Sequence, residues 1–391
     1  MIRTLLLALA FLCTFIVQAQ YIPLSESAEI SILTIGPGDN LYDKFGHSAF
    51  RVQDPERGVD AIYNYGVYDF DTPNFYTKFA QGKLKYKLEG VYAESFIEHY
   101  IRQERWVKQQ ELNLTYSEKQ GIFNFLNTNL KPENKYYIYD FFYDNCATKI
   151  RDVLVSVLGE ELKYTADFSS EGKTFRQLIQ QNVHWNTWGS LGMDVAIGAV
   201  TDKKASSWEY QFLPDYVFAA AASATIERNG ENVPLVKSTE TLYAGEARSP
   251  SITFFTSPLF VFLLLSLCIL ALTYRDAKRS ARSGALDRII FGGTGIIGIL
   301  LCLLWFATDH SATENNYNLL WAFPFNLLVA FFVGADTPKT WVRRYIIFLL
   351  LLLVLLTMHW LTGVQEFPYA LLPLLVALLI RYVFLIRILK R

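Results

Sequence analysis

The sequence predicts an α+β domain over residues 20–250, led by an export signal at 1–19 and followed by an all-α bundle of about five membrane-spanning helices at 251–391. Three observations carry the prediction. Of the 391 residues 52% are apolar, above the norm for a soluble chain, and beyond residue 250 they gather into long runs separated by short polar loops. The first twenty residues, MIRTLLLALAFLCTFIVQAQ, set one arginine before an apolar stretch at 5–17 and close on small-residue spacing. Lysine and arginine, finally, concentrate in alternate loops of the C-terminal part.

The leading apolar stretch is at the short end for a bilayer core of about 30 Å, so it reads as a cleavable secretory signal, with a retained anchor as the alternative. Residues 30–36, ISILTIG, alternate as a strand does, and GPGDN after them is a turn cluster. HSAFRV at 47–52 and DAIYNYGVY at 60–68 flank the polar DPERG and read as two strands of a hairpin. A loop centred between residues 55 and 56 places His47 directly opposite Asn64, with side chains on one face about 5 Å apart; a one-residue slip would separate them.

Residues 93–102 and 117–130 carry helical periodicity, with a strand at 106–114 between them. YYIYDFFY at 136–143 is aromatic and β-prone and runs into Asp144, Asn145 and Cys146. From there Ile150, Val153, Leu154, Val157 and Leu158 mark one helical face, Gly159 ends it, and Asp144 or Asn145 is the N-cap. Residues 160–225 hold several turns, and 225–236, with its Asn-Gly, predicts a closing hairpin.

Spans are expected near 252–273, 289–307, 318–334, 345–362 and 367–389. Arg275, Lys278, Arg279, Arg282 and Arg288 follow the first, Lys339, Arg343 and Arg344 the third, and Arg387, Lys390 and Arg391 the fifth, whereas the loops at 309–314 and 365–366 lack lysine and arginine. The positive-inside rule therefore puts residues 20–250 outside and the C-terminus in the cytoplasm, on the same side assignment that the signal demands. Arg381, within the last span, is expected to snorkel to the inner surface, and His359 beside Trp360 to form an interfacial pair.

A net charge of −1 with no basic stripe gives no electrostatic case for nucleic acid. No His, Cys or carboxylate spacing suggests a metal, the short Gly-Pro-Gly is no phosphate motif, and no cofactor is implied. Of four cysteines, Cys13 lies in the signal and Cys268 and Cys302 in apolar runs, which leaves Cys146 as a solitary thiol in an exported domain, inert and buried or reactive.

Position favours chemistry. The first turn of a helix, with its unpaired amides and positive dipole end, stabilises a thiolate and lowers a thiol pKa from about 8.5. The same amides can hold the oxyanion of an acyl intermediate. Of the exported histidines, His47, His99 and His184, only His47 sits between a Gly and a Ser at a strand edge. Strand histidine, cross-strand polar residue and helix-start cysteine make a base, orienter and nucleophile. Cys146, His47 and Asn64 are the candidate catalytic residues, with Tyr65 and Asp43 as alternatives for the third role. Tyr65, Tyr143 and Asn145 are the candidate substrate contacts, Asp144 and Asn145 being explicable as caps too. The aromatic runs at 70–79 and 136–143 could line an acyl groove or simply fill core.

Histidine before cysteine is the order of circularly permuted papain-like folds, and in this the chain resembles the lecithin:retinol acyltransferase group. The phrases LTIGPGDNLYDKFGHSAFRV, YNYGVYDFDTPNFYTKFAQGKLKYKL and YDFFYDNCATKIRD more closely resemble the Lnb N-terminal periplasmic domain family, the lipoprotein N-acyltransferases of Bacteroidota type, over about residues 20–240. The resemblance implies a circularly permuted papain-like domain in the periplasm, Cys146 as the acyl-accepting thiol and His47 as its base, a phospholipid donor and a diacylated lipoprotein acceptor. Two other readings stand beside it: a papain-like amidase or peptidase acting on peptidoglycan peptides, and a non-catalytic envelope receptor or assembly factor in which Cys146 is only packing.

Overall fold

A computed structural model describes residues 23–165, 167–169, 172–246, 253–335 and 337–390; the expected signal at 1–19 lies outside them. Ten strands follow the order β1 (Glu29–Ile35), β2 (His47–Asp54), β3 (Val59–Val67), β4 (Lys85–Tyr92), β5 (Val107–Leu112), β6 (Tyr136–Ile138), β7 (Leu162–Lys163), β8 (Thr225–Arg228), β9 (Glu231–Pro234) and β10 (Val236–Tyr243). Seven of them form one antiparallel sheet in the order β10-β5-β1-β2-β3-β4-β6, and β7-β8-β9 form a small one. Eight helices belong to this domain: α1 (Phe75–Ala80), α2 (Ala93–Arg102), α3 (Tyr116–Leu130), α4 (Cys146–Leu158), α5 (Phe175–Gln180), α6 (Trp188–Ala196), α7 (Ser207–Tyr210) and α8 (Pro214–Ser223).

β1 is apolar on both sides because both faces of the sheet are covered. Ile30 and Ile32 pack with Phe50, Val52, Tyr63 and Tyr65 against Ile150, Val153 and Leu154 of α4. Leu33 and Ile35 pack with Ala49 and Ile62 against Ala93 and Phe96 of α2. Each such side chain contributes about 1.5–3 kcal/mol when fully buried, so the strand that meets the most neighbours is the one the sheet is built around.

Three expectations for this domain need correction. The β2–β3 hairpin pairs Phe50 with Tyr63 and Asp54 with Val59, so its turn is centred one residue later than expected and His47 is not directly opposite Asn64. The cause is local: Pro55–Arg57 forms a 3-10 turn capped by the Asp54 side chain, and Gly58 closes it at φ 65°. A one-residue shift of the centre moves the pairing by two, which keeps both side chains on one face and makes them diagonal neighbours. The strand expected over 136–143 stops at Ile138, because the Asp140 carboxylate accepts from the amides of Phe142 and Tyr143 and turns the chain. Residues 160–225, which showed only turns in sequence, hold α5 to α8. The closing hairpin is present, with Asn229 and Gly230 both at positive φ.

Among the described residues four helices are long and apolar enough to cross a membrane: α9 (Pro258–Lys278), α10 (Gly284–Phe306), a helix α12 (Thr340–Leu361), and the segment Tyr369–Ile388 that contains α13 (Leu372–Ile388). The third expected span, 318–334, is instead a 3-10 turn (Tyr317–Leu320), an irregular stretch and the eight-residue α11 (Asn326–Val333). Pro324 and the hydrogen-bonding demands of Asn318 and Asn326 break it: Asn326 donates to Thr294 Oγ1 at 2.9 Å and accepts from the Tyr345 hydroxyl at 2.6 Å. The broken segment still runs the full depth of the bundle beside α10. A Cβ on Gly298 would collide with Ala322 and one on Gly295 with Leu327, while at the far end Arg288 donates to Gly334 O at 2.9 Å and Arg282 bonds the carbonyls of Val333 and Ala335.

The chain therefore traverses the bundle five times and ends opposite the sheet domain, where Arg343 donates to Ile386 O at 3.0 Å. Arg381 does not snorkel. It is fully buried and donates to Asp276 at 2.9 Å and Asp287 at 2.8 Å, because those two carboxylates of α9 and α10 are buried with it. At the domain end Arg176, also fully buried, binds Asp194 and Asp202, and Asp202 in turn accepts from the Glu366 amide of the last interhelical loop. Asn316 reaches Val195 O at 2.8 Å and Ser311 reaches Asp140 at 2.7 Å.

Candidate active site

α4 begins at Cys146 because Asn145 caps it. Asn145 Oδ1 accepts from the amides of Ala147 and Thr148 at 2.8 and 2.9 Å, and Thr148 Oγ1 accepts from the Asn145 amide in return. Asn145 Nδ2 donates to the carbonyls of Phe141 and Phe212 at 2.7 and 2.9 Å, which leaves this buried side chain no free polar atom. Of the two roles expected for it, the hydrogen bonds describe the cap, which fixes where the thiol stands.

The β2–β3 ladder ends at Phe50 and Tyr63, while β2 stays paired with β1 as far as His47 and Ile35. The two strands splay below that point, and the helix start fills the opening. Cys146 stands close to Gly66, a strand position with φ 90° where β3 bulges. The backbone amides of Ser48 and Ala147 lie near the Cys146 sulfur and favour its thiolate.

His47 is hydrogen-bonded to Cys146 and, through Nε2, to Asn64 Oδ1 at 2.6 Å. Since an amide oxygen only accepts, Nε2 carries the hydrogen and Nδ1 is left to take the thiol proton. Burial pushes the Cys146 thiol up, but the adjacent imidazolium and the hydrogen bonds from His47, Ser48 and Ala147 outweigh it and hold the thiol below its ordinary value. Burial pulls His47 down, and the thiolate charge with its hydrogen bond and Asn64 more than reverse this, against the opposing charge of Arg105. Both shifts favour the charged pair, thiolate and imidazolium, and both side chains are partly exposed.

Sequence reasoning missed the walls. The imidazole lies 6.3 Å, centroid to centroid, from both Phe96 and Tyr100 of α2, and buried Arg105 donates to Gly36 O at 2.7 Å and stands over the Tyr100 ring. A lone arginine beside Trp106 at a strand start carries no motif that would have marked it. Tyr65, a candidate substrate contact, is buried, and its hydroxyl has no hydrogen-bond partner among the described residues. Tyr143 is half exposed and lines a cavity of about 320 Å³ with Phe142, Phe175 and Lys203, beneath Ser311 of the bundle. Asp144 pairs with Lys149 at 2.6 Å and Asp43 faces Arg105, so neither competes with Asn64 for the imidazole. His99 bonds Gln103 and His184 accepts from the Asn186 amide, both away from the thiol. Among the described residues no group of His, Cys, Asp or Glu is arranged to hold a metal.

Fold and site together define a multi-pass membrane protein whose sheet-rich domain carries a partly exposed Cys-His-Asn cluster at the start of a helix. Residues 19–181 match the Lnb N-terminal periplasmic domain and residues 249–391 match the Lnb transmembrane domain, and the chain belongs to the Lnb family, the Lnb-type lipoprotein N-acyltransferases. That membership supports a lipoprotein N-acyltransferase-type function and a place in the inner membrane. No curated protein and no solved structure matches the chain.

Proposed function

We propose that the protein moves an acyl chain from a phospholipid, through a thioester on Cys146, to the α-amine of a lipoprotein's diacylglyceryl cysteine. The observation that carries this is the hydrogen-bonded line from Asn64 through His47 to a Cys146 held as thiolate, in a chain that belongs to the Lnb family. In the first step the sulfur attacks the ester carbonyl, the carbon–oxygen bond breaks, and His47 gives its proton to the departing lysophospholipid oxygen. The oxyanion that forms between attack and departure is held by the amide of Cys146, which as the first helical residue has no intrahelical acceptor, together with the positive end of α4. In the second step the amine attacks the thioester, neutral His47 removes its proton, and the thiolate leaves as the amide forms.

Domain boundaries follow the same reading, with residues 1–19 removed on export, 20–250 in the periplasm and 251–391 in the membrane. The basic loops at 275–288 and 339–344, gathered at the bundle end away from the domain, support a cytoplasmic C-terminus.

The test is mass spectrometry of lipoprotein N-terminal lipopeptides from cells lacking the protein and complemented with wild type, Cys146→Ala, His47→Ala or Asn64→Ala. Wild type is expected to restore the N-linked acyl chain, the first two variants to fail and the third to restore it weakly. Triacylated lipoproteins in cells without the protein would remove lipoprotein as the acceptor, and full restoration by Cys146→Ala would remove the thioester.

A further inference from the structure

The bundle is not closed evenly around its circumference. α9 lies along α13, α13 along α12, and α10 along the broken span, whereas α9 and α10, consecutive in sequence, make few close backbone approaches to each other. At the far end they are held together, since Arg381 bridges Asp276 of α9 and Asp287 of α10. At the domain end they are fastened to different places. Trp188 donates to Thr256 O at 2.9 Å and Asn186 accepts from the Leu259 amide at 3.0 Å over the start of α9. Gln81 O accepts from the Asp309 amide at 2.8 Å, and His310 Nε2 meets Phe79 O at 3.1 Å, just past the end of α10. Two helices tied at one end and separately anchored at the other can part toward the domain.

The strands that carry His47 and Asn64 end above these two helices. The loop at 36–46 runs directly into His47, and its Leu41 packs against Gly189, next to Trp188 on the α9 side. The loop at 68–82 leaves β3 three residues past Asn64, carries α1, and is the segment fastened over α10. These loops present Tyr42, Phe70, Tyr76 and Phe79, each more than half exposed, at the level of Phe306, itself 72% exposed at the end of a span. An aqueous surface does not keep such a cluster without a partner, whereas the bilayer interface collects aromatic side chains. Below them, Gly293 and Leu300 sit at helical spacing on the side of α10 turned away from α11, and a Cβ at Gly293 would meet nothing within 4 Å.

We propose that the space between α9 and α10 is a lateral opening to the outer leaflet of the inner membrane, through which one acyl chain of a phospholipid reaches Cys146, with Tyr42, Phe70, Tyr76 and Phe79 seated in the interface on either side. What the chain does on arrival rests on the acyl-transfer reading; the membrane seating of the loops does not. A chain sliding up between two apolar helices under aromatic loops never crosses water, so its burial is not lost on the way to the thiol.

The full-length protein in phosphatidylethanolamine and phosphatidylglycerol vesicles tests both halves. Benzoylphenylalanine in place of Phe79 is expected to crosslink to vesicle acyl chains on irradiation, and in place of Tyr92, at the other end of β4, to give none; absence of lipid capture at 79, or equal capture at 92, overturns the membrane seating. Acylation of Cys146 is then followed by mass spectrometry from vesicle lipid and from p-nitrophenyl butyrate in solution. Gly293→Phe and the pair Phe70→Ser, Phe79→Ser are expected to slow acylation from vesicle lipid about tenfold while leaving the soluble ester within about twofold of wild type. An unchanged rate from vesicle lipid, or an equal fall with both donors, overturns the opening. Wild type that is acylated by neither donor, with lipid still captured at 79, would refute the acyl-transfer reading and the opening's catalytic use while leaving the loops in the membrane.

Discussion

Cys146 and His47 each sit where burial alone would neutralise them, and each is kept charged by the other. The sign follows for pH. A thiol held below its ordinary value keeps its thiolate as pH falls through the range where a free cysteine, at about 8.5, protonates. Alkylation of Cys146 by iodoacetamide is therefore expected to remain fast at neutral pH. In His47→Ala the burial that pushes the thiol up loses its opponent, and the midpoint of the alkylation–pH profile should move above that of a free thiol; an unmoved midpoint would show that His47 is not the partner. Asn64 belongs at this scale as well, because its carbonyl oxygen decides which imidazole nitrogen is free. The face shared by His47 and Asn64 was legible from strand alternation, while the exact pairing was not, since a Pro-containing 3-10 turn moved the hairpin centre by one residue.

At the scale of elements, α4 is the piece on which the site depends. Its apolar stripe, its glycine stop and its cap were all readable, and the structure adds that Asn145 also ties the helix start to the segment before α8 through Phe212 O. Asn145→Ala leaves two buried carbonyls and two helix amides without partners. It is expected to lower stability by about 1–3 kcal/mol and to slow Cys146 alkylation, checked by thermal unfolding of the detergent-solubilised full chain and by the same reagent. A cap that mattered only for stability would leave the alkylation rate unchanged. The third span shows the limit of reading elements by hydropathy: its composition is apolar enough, but Pro324 and two buried asparagines need partners from other helices before their backbone can be placed.

Two buried arginines hold the whole molecule in register, one at each end of the bundle. Arg176 joins α5, α6 and the Glu366 loop at the domain end, and Arg381 joins α9, α10 and α13 at the far end. Removing one partner of such a cluster strands the others, so Arg381→Ala is expected to cost about 3–5 kcal/mol and to abolish accumulation of folded protein. Partial recovery of accumulation is expected in the triple variant that adds Asp276→Asn and Asp287→Asn, as the stranded charges are removed; a single Arg381→Ala that accumulates normally would mean the cluster is hydrated. The five traverses also fix an orientation test: a fluorescent protein fused after Arg391 is expected to fluoresce, and alkaline phosphatase fused at the 309–316 loop to be active, with the reverse pattern overturning the cytoplasmic C-terminus.

Sequence by itself indicated a sheet-rich α+β domain followed by an apolar helical region, the sites of most strands and helices, and the residue types of the candidate site, because periodicity, charge placement and helix-start chemistry are local. Only the tertiary structure decided which polar groups Asn145 satisfies as a cap, that Arg381 is clasped by two aspartates, and that the third span is broken. Each of these turns on a partner far away in the chain, and the energy of a buried polar group or an unpacked helix face depends on that partner, which no local pattern records.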